Sequence, residues 1–326
     1  MKKIAINGLG RIGRAALKII IERADLELTA VNDLVPAENL VYLLKFDSVY
    51  GKYNKEISTG GNNLIIDQKK IRVLNEKDPS QLPWKDMDID IVIESTGIFT
   101  NKEGLEKHLN AGAKKVILSA PSKSEEVATI VYGINETDEK IISCASCTTT
   151  SITPVMEIMS RRIGIRKAIM TTTHAYTSSQ PIVDLPQKKV RRGRAGAINI
   201  VPTTTGAAKA TIKVLPHLEN KFDGIALRVP VPVGSIADMV FVTEKNTSVQ
   251  EVNDIFRDEA QSERYRGILS ASNEELVSSD IIKDPHASII DLGMTQVVDG
   301  DLVKILSWYD NEWGYANQMI NQVLDM

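Results

Sequence analysis

The first twenty residues restrict the fold more than any other stretch of this chain. Lys3-Ile4-Ala5-Ile6-Asn7 reads as a short buried strand that runs directly into Gly8-Leu9-Gly10-Arg11-Ile12-Gly13. Arg14-Ala15-Ala16-Leu17-Lys18-Ile19-Ile20 then continues as a helix. Strand, G-x-G-x-x-G, helix opens a parallel βαβ unit. Its glycines permit a tight turn and close approach of backbone to a pyrophosphate, and the helix N-terminus offers N–H donors to the anion. The next strand, Leu28-Thr29-Ala30-Val31-Asn32, ends at Asp33, the spacing at which an acidic residue takes the ribose hydroxyls of a dinucleotide. An Asp there repels a ribose 2′-phosphate, so the expected cofactor is NAD rather than NADP.

The same half holds a hairpin pattern over 63–75, with Leu64-Ile65-Ile66 and Ile71-Arg72-Val73 around a polar turn. Ile89–Glu94 and Lys115–Leu118 read as further buried strands. They end in Ser95-Thr96-Gly97 and Ser119-Ala120-Pro121, small polar turns that let a cofactor lie across strand C-termini. The sheet ends, in sequence, at Ile141-Ile142. A chain of 326 residues holds two cores, which predicts a second domain beyond this point.

A net charge of −3 argues against wholesale nucleic-acid binding. Asn7 and Gly8 end the first apolar run too early for a signal-peptide core or a membrane span, so the expectation is a cytoplasmic protein with no membrane role. Two cysteines without an export signal predict reduced thiols rather than a structural disulfide. No metal site is expected, because further ligands at suitable spacing are absent.

Both cysteines lie in Ile141–Ser151. Cys147 stands where a helix pattern begins, with Ile152, Val155, Met156, Met159 and Ile163 on one face, Pro154 in the first turn and Gly164 as the stop. A cysteine at a helix N-terminus meets unpaired N–H groups that favour thiolate, which makes Cys147 a candidate nucleophile; the alternative is a cysteine packed as a small hydrophobe. The strand pattern 168–177 carries His174 near its end, a base if the fold brings it to Cys147 and otherwise a structural histidine. Lys188–Arg194 is a basic run in a Gly/Ala-rich loop, read either as a subunit-contact loop or as a phosphate clamp. Thr203–Lys209 is a hydroxyl-rich turn opening a helix that suits an anion. Arg228 sits among apolar neighbours in the strand 225–230, which calls for an anionic partner. Ser235–Val242 continues as strand, Ser248–Glu251 is a capping box, and 288–298 with 302–309 form a hairpin across Asp299-Gly300. The fold class is therefore α/β: a Rossmann-type parallel-sheet nucleotide-binding domain plus an α+β catalytic domain with a large, mostly antiparallel sheet.

With these residues in view, the chain resembles the phosphorylating glyceraldehyde-3-phosphate dehydrogenase family. The matching segments are Asn7–Arg14, Asn32-Asp33, Asp47–Gly51, Glu94–Thr100, Ser146–Thr149, Thr203–Lys209, Ala226–Pro230 and Ser307–Tyr315. The resemblance implies Cys147 as nucleophile and His174 as base. Ser146, Thr148, Thr177, Arg192, Thr205, Gly206 and Arg228 would hold the substrate phosphate and the attacking inorganic phosphate. Arg11, Ile12, Asp33, Thr96, Ser119 and Asn311 would hold NAD with the glycines Gly8, Gly10 and Gly13, and Tyr315 would lie beside Asn311. It further implies a nucleotide domain of 1–146 completed by the C-terminal helix 312–326, a catalytic domain of 147–311, and a homotetramer. The implied reaction converts a phosphorylated aldehyde, NAD and inorganic phosphate to an acyl phosphate through a cysteine thioester, as in glycolysis or gluconeogenesis.

Cys144, Thr150, Ser151 and Ser178-Ser179 depart from the usual family segments. Two alternatives stay open: a dehydrogenase of another phosphorylated aldehyde such as erythrose 4-phosphate, and a thiol redox or sensor protein using the Cys144-x-x-Cys147 pair.

Overall fold

The computed structural model describes all residues 1–326, in two compact units. The first comprises Met1–Ile130, Glu136–Ala145 and Met319–Met326; the second comprises Val131–Asn135 and Ser146–Gln318.

In the first unit the apolar run at the N-terminus forms β1 (Lys2–Asn7), the glycine loop leads into α1 (Arg11–Ile21), and β2 (Leu26–Asn32) returns beside β1. There follow α2 (Ala37–Lys45), a two-residue pairing of β3 (Phe46–Asp47) with β4 (Gly51–Lys52), and β5 (Ile57–Thr59), β6 (Asn63–Ile66) and β7 (Lys69–Leu74). The predicted hairpin is β6 and β7, in register Leu64↔Ile71. Asp67 and Gln68 both take positive φ, the conformation that a two-residue hairpin turn demands. Next come β8 (Ile91–Glu94), α3 (Lys102–Asn110), β9 (Lys115–Leu118), β10 (Ala128–Thr129) and β11 (Ile141–Ser143). The sheet order is β10-β11-β9-β8-β1-β2-β7-β6-β5, parallel from β10 to β7. Central strands of such a sheet are covered on both faces, and all four residues of β8 are accordingly buried.

The second unit opens with α4 (Cys147–Arg162), then β12 (Ile165–Ala175), β13 (Val201–Thr204), α5 (Ala207–Val214), β14 (Phe222–Val229), β15 (Ser235–Thr243) and α6 (Val249–Gln261). It continues through β16 (Leu269–Ser272), β17 (Ser288–Asp291), β18 (Gln296–Val298) and β19 (Leu302–Tyr309). The main sheet runs β13-β14-β12-β15-β19-β17-β16 and is mostly antiparallel. Burial alternates residue by residue along β15, as expected of strands with one covered face. That covered face packs on α4, whose Ile152, Val155, Met156 and Met159 join Met239, Phe241, Val303 and Ile305 in one apolar cluster. The last helix, α7 (Trp313–Asp325), contributes its end to the first unit, where Lys2 Nζ donates to the carbonyls of Val323 at 3.2 Å and Leu324 at 2.5 Å.

Three local expectations are corrected. Pro154 lies well inside α4 rather than in its first turn, because the helix already begins at Cys147. The N–H that Thr150 O would receive is missing there. The pattern 288–298 is not one strand: a 3₁₀ turn at Leu292–Met294 splits it, so that only β18 makes the Asp299-Gly300 hairpin with β19. Ser248 caps α6 by accepting from Glu251 N at 3.2 Å, but Glu251 Oε2 accepts from Thr247 Oγ1 at 2.8 Å instead of completing the reciprocal box.

Candidate active site

The thiol site is built on the start of α4 and the end of β12. Ser146 is the N-cap, its hydroxyl accepting from Thr149 N at 3.1 Å, which leaves Cys147 as the first residue of the helix. Thr150 Oγ1 donates back to Ser146 O at 3.1 Å and so braces the same turn. Cys147 Sγ lies 3.4 Å from His174 Nε2. The parallel register of β12 and β14 pairs His174 with Arg228, and this is why the arginine meets the imidazole. His174 Nδ1 has two neighbours, Ala175 O at 2.6 Å and Arg228 Nη1 at 3.0 Å; the shorter contact is to a group that only accepts, and we assign the proton to Nδ1 on that ground, which leaves the Nε2 lone pair facing the sulfur. Arg228 Nη1 donates to the same carbonyl at 2.9 Å, while its Nε is buried without a protein partner.

Electrostatics decide what this pair holds. Burial pushes the Cys147 thiol up, opposed by the Arg228 guanidinium and by hydrogen bonding from Thr148. Burial, and then Arg228, push His174 down to about 3. These are the costs of charging either group alone. Moving one proton from sulfur to Nε2 instead creates two opposite charges in contact at a helix N-terminus, an attraction that offsets both costs. The pair therefore shares one proton, and the helix end by itself does not secure the thiolate.

Tyr309 is a site neighbour that sequence reasoning did not single out. Its hydroxyl bridges Thr148 Oγ1 at 3.0 Å and Thr172 Oγ1 at 2.8 Å, and its ring meets His174 edge-on at 6.0 Å. The alternation along β19 places it on the covered face, the one signal that pointed inward. Its contact engages the Thr148 hydroxyl in the protein interior. Arg192 reaches Thr203 Oγ1 at 3.0 Å and Thr204 O at 3.2 Å, joining the basic loop to the turn before α5. Thr205 accepts from Ala207 N at 3.2 Å, and Gly206, at the helix start, is exposed. Thr177 Oγ1 is 2.8 Å from Ser179 Oγ in the loop after β12. Asn311 is buried, its Oδ1 accepting from Ser235 Oγ at 2.9 Å. Ser235 Oγ in turn accepts from Ala175 N at 3.1 Å, so Asn311 is tied to the histidine strand. Tyr315 is buried in α7.

Of the predicted cofactor residues, Gly8, Gly10, Asp33 and Thr96 line a groove of ≈ 750 Å³ along the strand C-termini, together with Leu34, Ser95 and Phe99, whereas Arg11, Ile12, Gly13 and Ser119 lie outside its lining. Gly8 has φ +93, and a Cβ there would stand 2.7 Å from Thr96 N. A Cβ at Gly13 would stand 2.0 Å from Gly8 O, whereas one at Gly10 would meet nothing within 4 Å. Gly8 and Gly13 pack strand, loop and helix together, and Gly10 leaves open space. Asp33 Oδ2 accepts from Leu9 N at 2.7 Å, which holds the carboxylate beside the glycine loop. Arg11 is tethered to Asp47 at 2.8 Å, Ile12 follows it in α1, and Ser119 N donates to Glu94 O at 3.0 Å. A dinucleotide fits this lining: an anion-ready helix start, an open glycine and a carboxylate beside the glycine loop. Cys144 is buried, and burial alone holds its thiol far above the ordinary range, the opposite of a reactive redox cysteine.

A Rossmann-type nucleotide-binding unit combined with a thiol–imidazole unit defines a thiol-dependent, NAD-binding oxidoreductase. Comparison with known proteins narrows this. Residues 2–102 match the family described as glyceraldehyde 3-phosphate dehydrogenase, NAD binding domain, and residues 146–311 match glyceraldehyde 3-phosphate dehydrogenase, C-terminal domain. The glyceraldehyde-3-phosphate dehydrogenase of Thermotoga maritima is 50% identical, covering 98% of this chain and 98% of its own. Those of Geobacillus stearothermophilus and Streptomyces coelicolor are 48% and 47% identical, each covering 98% of this chain and 96% of its own. The chain belongs to the glyceraldehyde-3-phosphate dehydrogenase family. Membership carries NAD as cofactor and the family's glycolytic dehydrogenase activity, and it does not favour the tetrose-phosphate or thiol-sensor alternatives.

Proposed function

We propose that Cys147 and His174 carry the oxidative phosphorylation of D-glyceraldehyde 3-phosphate to 1,3-bisphosphoglycerate. The observation behind this reading is the 3.4 Å approach of Cys147 Sγ, at the first residue of a helix, to His174 Nε2. Cys147 Sγ adds to the aldehyde carbon as its proton passes through Nε2 to the former carbonyl oxygen. His174 Nε2 then takes the hemithioacetal hydroxyl proton as the C–H electron pair leaves as hydride. NAD, when bound, supplies the hydride acceptor. The thioester left on Cys147 is attacked by inorganic phosphate and the C–S bond breaks with its electron pair returning to sulfur; the proton held on His174 Nε2 restores the proton shared by the pair, and the phosphate's own proton passes to solvent as the acyl phosphate departs. Backbone N–H groups at the start of α4 stabilise the tetrahedral oxyanion.

Arg228 and Arg192 bind phosphate in this reading, with Thr177, Thr205, Gly206, Ser146 and Thr148 completing the two anion positions. The unpartnered Nε of Arg228 supports it, as does the exposed helix start at Gly206. Gly8, Gly10, Arg11, Ile12, Gly13, Asp33, Thr96 and Ser119 hold the adenosine and pyrophosphate of NAD. Asn311 holds the nicotinamide carboxamide through its NH₂, since its Oδ1 already accepts from Ser235, and Tyr315 lies beside it. The functional domains are 1–146 with 312–326 and 147–311. The protein works as a homotetramer in the cytoplasm, without nucleic-acid or membrane partners. Exposed Ile182, Val183, Val190 and Ile198 on the basic loop support packing against another copy, and a thiol nucleophile suits a reducing compartment.

The test is NADH formation from glyceraldehyde 3-phosphate with and without inorganic phosphate, for the wild type and Cys147→Ser. Phosphate-dependent turnover that disappears in the serine variant is expected. Turnover indifferent to phosphate, or surviving in the variant, overturns the reading.

A further inference from the structure

Beneath the groove of the first unit lies a polar ladder that the chemistry above does not use. Asn7, Asn32 and Glu94 are the last residues of β1, β2 and β8, and their exposures are 1%, 4% and 0%. Parallel register sets Asn7 beside Asn32 on one side and beside Glu94 on the other. Asn32 Nδ2 donates to Asn7 Oδ1 at 2.7 Å, and Asn7 Nδ2 donates to Glu94 Oε2 at 2.6 Å. On its far side Asn32 makes both backbone bonds to Glu76: Nδ2 donates to Glu76 O at 2.8 Å, and Oδ1 accepts from Glu76 N at 2.8 Å. Glu94 Oε1 accepts from Thr96 N at 2.7 Å and from the Thr96 hydroxyl. His108 Nε2 lies 3.1 Å from Glu94 Oε2, and His108 Nδ1 is 3.0 Å from Trp84 Nε1. An indole N–H only donates, so Nδ1 accepts and Nε2–H is the donor to Glu94.

Four donors thus converge on one carboxylate, the side chain that accepts at every site. The ladder crosses β8, β1, β2 and the chain leaving β7, four neighbours in the sheet. Each member stands immediately before, or within, a segment lining the groove: Gly8, Asp33, Glu76–Asp78 and Ser95–Thr96. Burying three polar side chains at the ends of these strands is costly unless they are satisfied, and these satisfy one another with their neighbours.

We propose that this Glu94-centred ladder fixes the four NAD-groove segments in their binding geometry, with Glu94 as its positioning residue. Because the Thr96 hydroxyl donates to Glu94 and accepts from Ile98 N at 3.1 Å, it shapes the loop rather than donating to a ligand. Preorganisation of this kind lowers the ordering cost of binding and leaves the thiol chemistry alone. The proposal rests on the reading that this groove takes the adenosine half of NAD.

The experiment is calorimetric titration of NAD into the full-length protein, with steady-state kinetics alongside. Glu94→Gln sets an NH₂ among donors. It is expected to raise the Kd and the KM for NAD about tenfold, with kcat at saturating NAD within about twofold of wild type. His108→Gln keeps an N–H donor and should bind NAD as wild type does, while His108→Leu should weaken it. Should Glu94→Gln not fold, Asn32→Ala severs the ladder at its other end and carries the same expectation. Asp33→Ala separates the two readings. If it weakens NAD while the ladder variants bind within about twofold of wild type, the ladder is overturned and the groove reading stands. If Asp33→Ala also binds as wild type, the groove reading has failed and the proposal falls with it.

Discussion

The two polar clusters of this chain are opposites. Under the first unit's groove, the Glu94 carboxylate takes four donors and Asn7 and Asn32 complete one another, so the floor is saturated. Around Cys147 the valences are left open: Arg228 Nε has no protein partner, two donors share the carbonyl of Ala175, and one proton serves both sulfur and imidazole. A saturated cluster holds shape, whereas an open one waits for a substrate to complete it. A cofactor floor and a reaction centre, the roles proposed for them, need those different properties, and each cluster has the corresponding hydrogen-bond inventory.

The strongest way to break this comparison is at the open cluster. Cys147→Ser and His174→Gln are each expected to lower kcat by on the order of hundreds-fold or more, with NAD affinity by calorimetry unchanged. A matching loss of NAD affinity would show that the two clusters are not separable. The next effect is on the thiol itself. Without His174 the burial cost of the thiolate is opposed only by Arg228 and local hydrogen bonding, so the rate of Cys147 alkylation by iodoacetamide near neutral pH should fall about tenfold or more in His174→Gln. An unchanged rate would mean that the helix terminus suffices. In the other unit, Asp33→Ala should weaken NAD by about tenfold and narrow the preference over NADP, while alkylation of Cys147 keeps its wild-type rate.

The smallest effect is a linkage between pH and stability. His174 sits at about 3 in the folded state against 6.5 when unperturbed, so between those values the unfolded chain binds more protons. Stability contributed by neutral His174 is present above pH 6.5 and is lost as pH falls toward 3. Denaturant midpoints for wild type and His174→Gln should therefore diverge across that window, with the wild type losing more on acidification. Parallel curves would refute the buried neutral imidazole.

Much of the scaffold was legible because its signals are local. The apolar run, the glycine loop and the helix pattern of residues 3–20 specify β1 and α1 without reference to anything distant, and Asp33 follows at the spacing of one βαβ step. The bounds of α4 were legible too: Cys147 stands at its start and Gly164, with φ +89, follows its end. Pro154 misled, because the rule that admits proline in a first turn counts from the first helical residue, and a helix that begins at Cys147 has completed its first turn before Pro154. The hairpin at 288–298 misled because alternation survives a 3₁₀ turn at Leu292–Met294 that no single residue announces.

Short-range backbone preference and periodicity in the sequence therefore determined the nucleotide-binding opening, Asp33 at the end of the second strand and a cysteine at a helix start. Tertiary structure decided the partners. His174 reaches Cys147 across 27 residues of sequence, Arg228 reaches His174 across 54 through the parallel register of β12 with β14, and Tyr309 reaches Thr148 across 161. The ladder under the groove joins Glu94 to Asn7 across 87. These contacts follow from which strands lie side by side. That order is set by the packing of whole sheets against their helices, which no local stretch encodes.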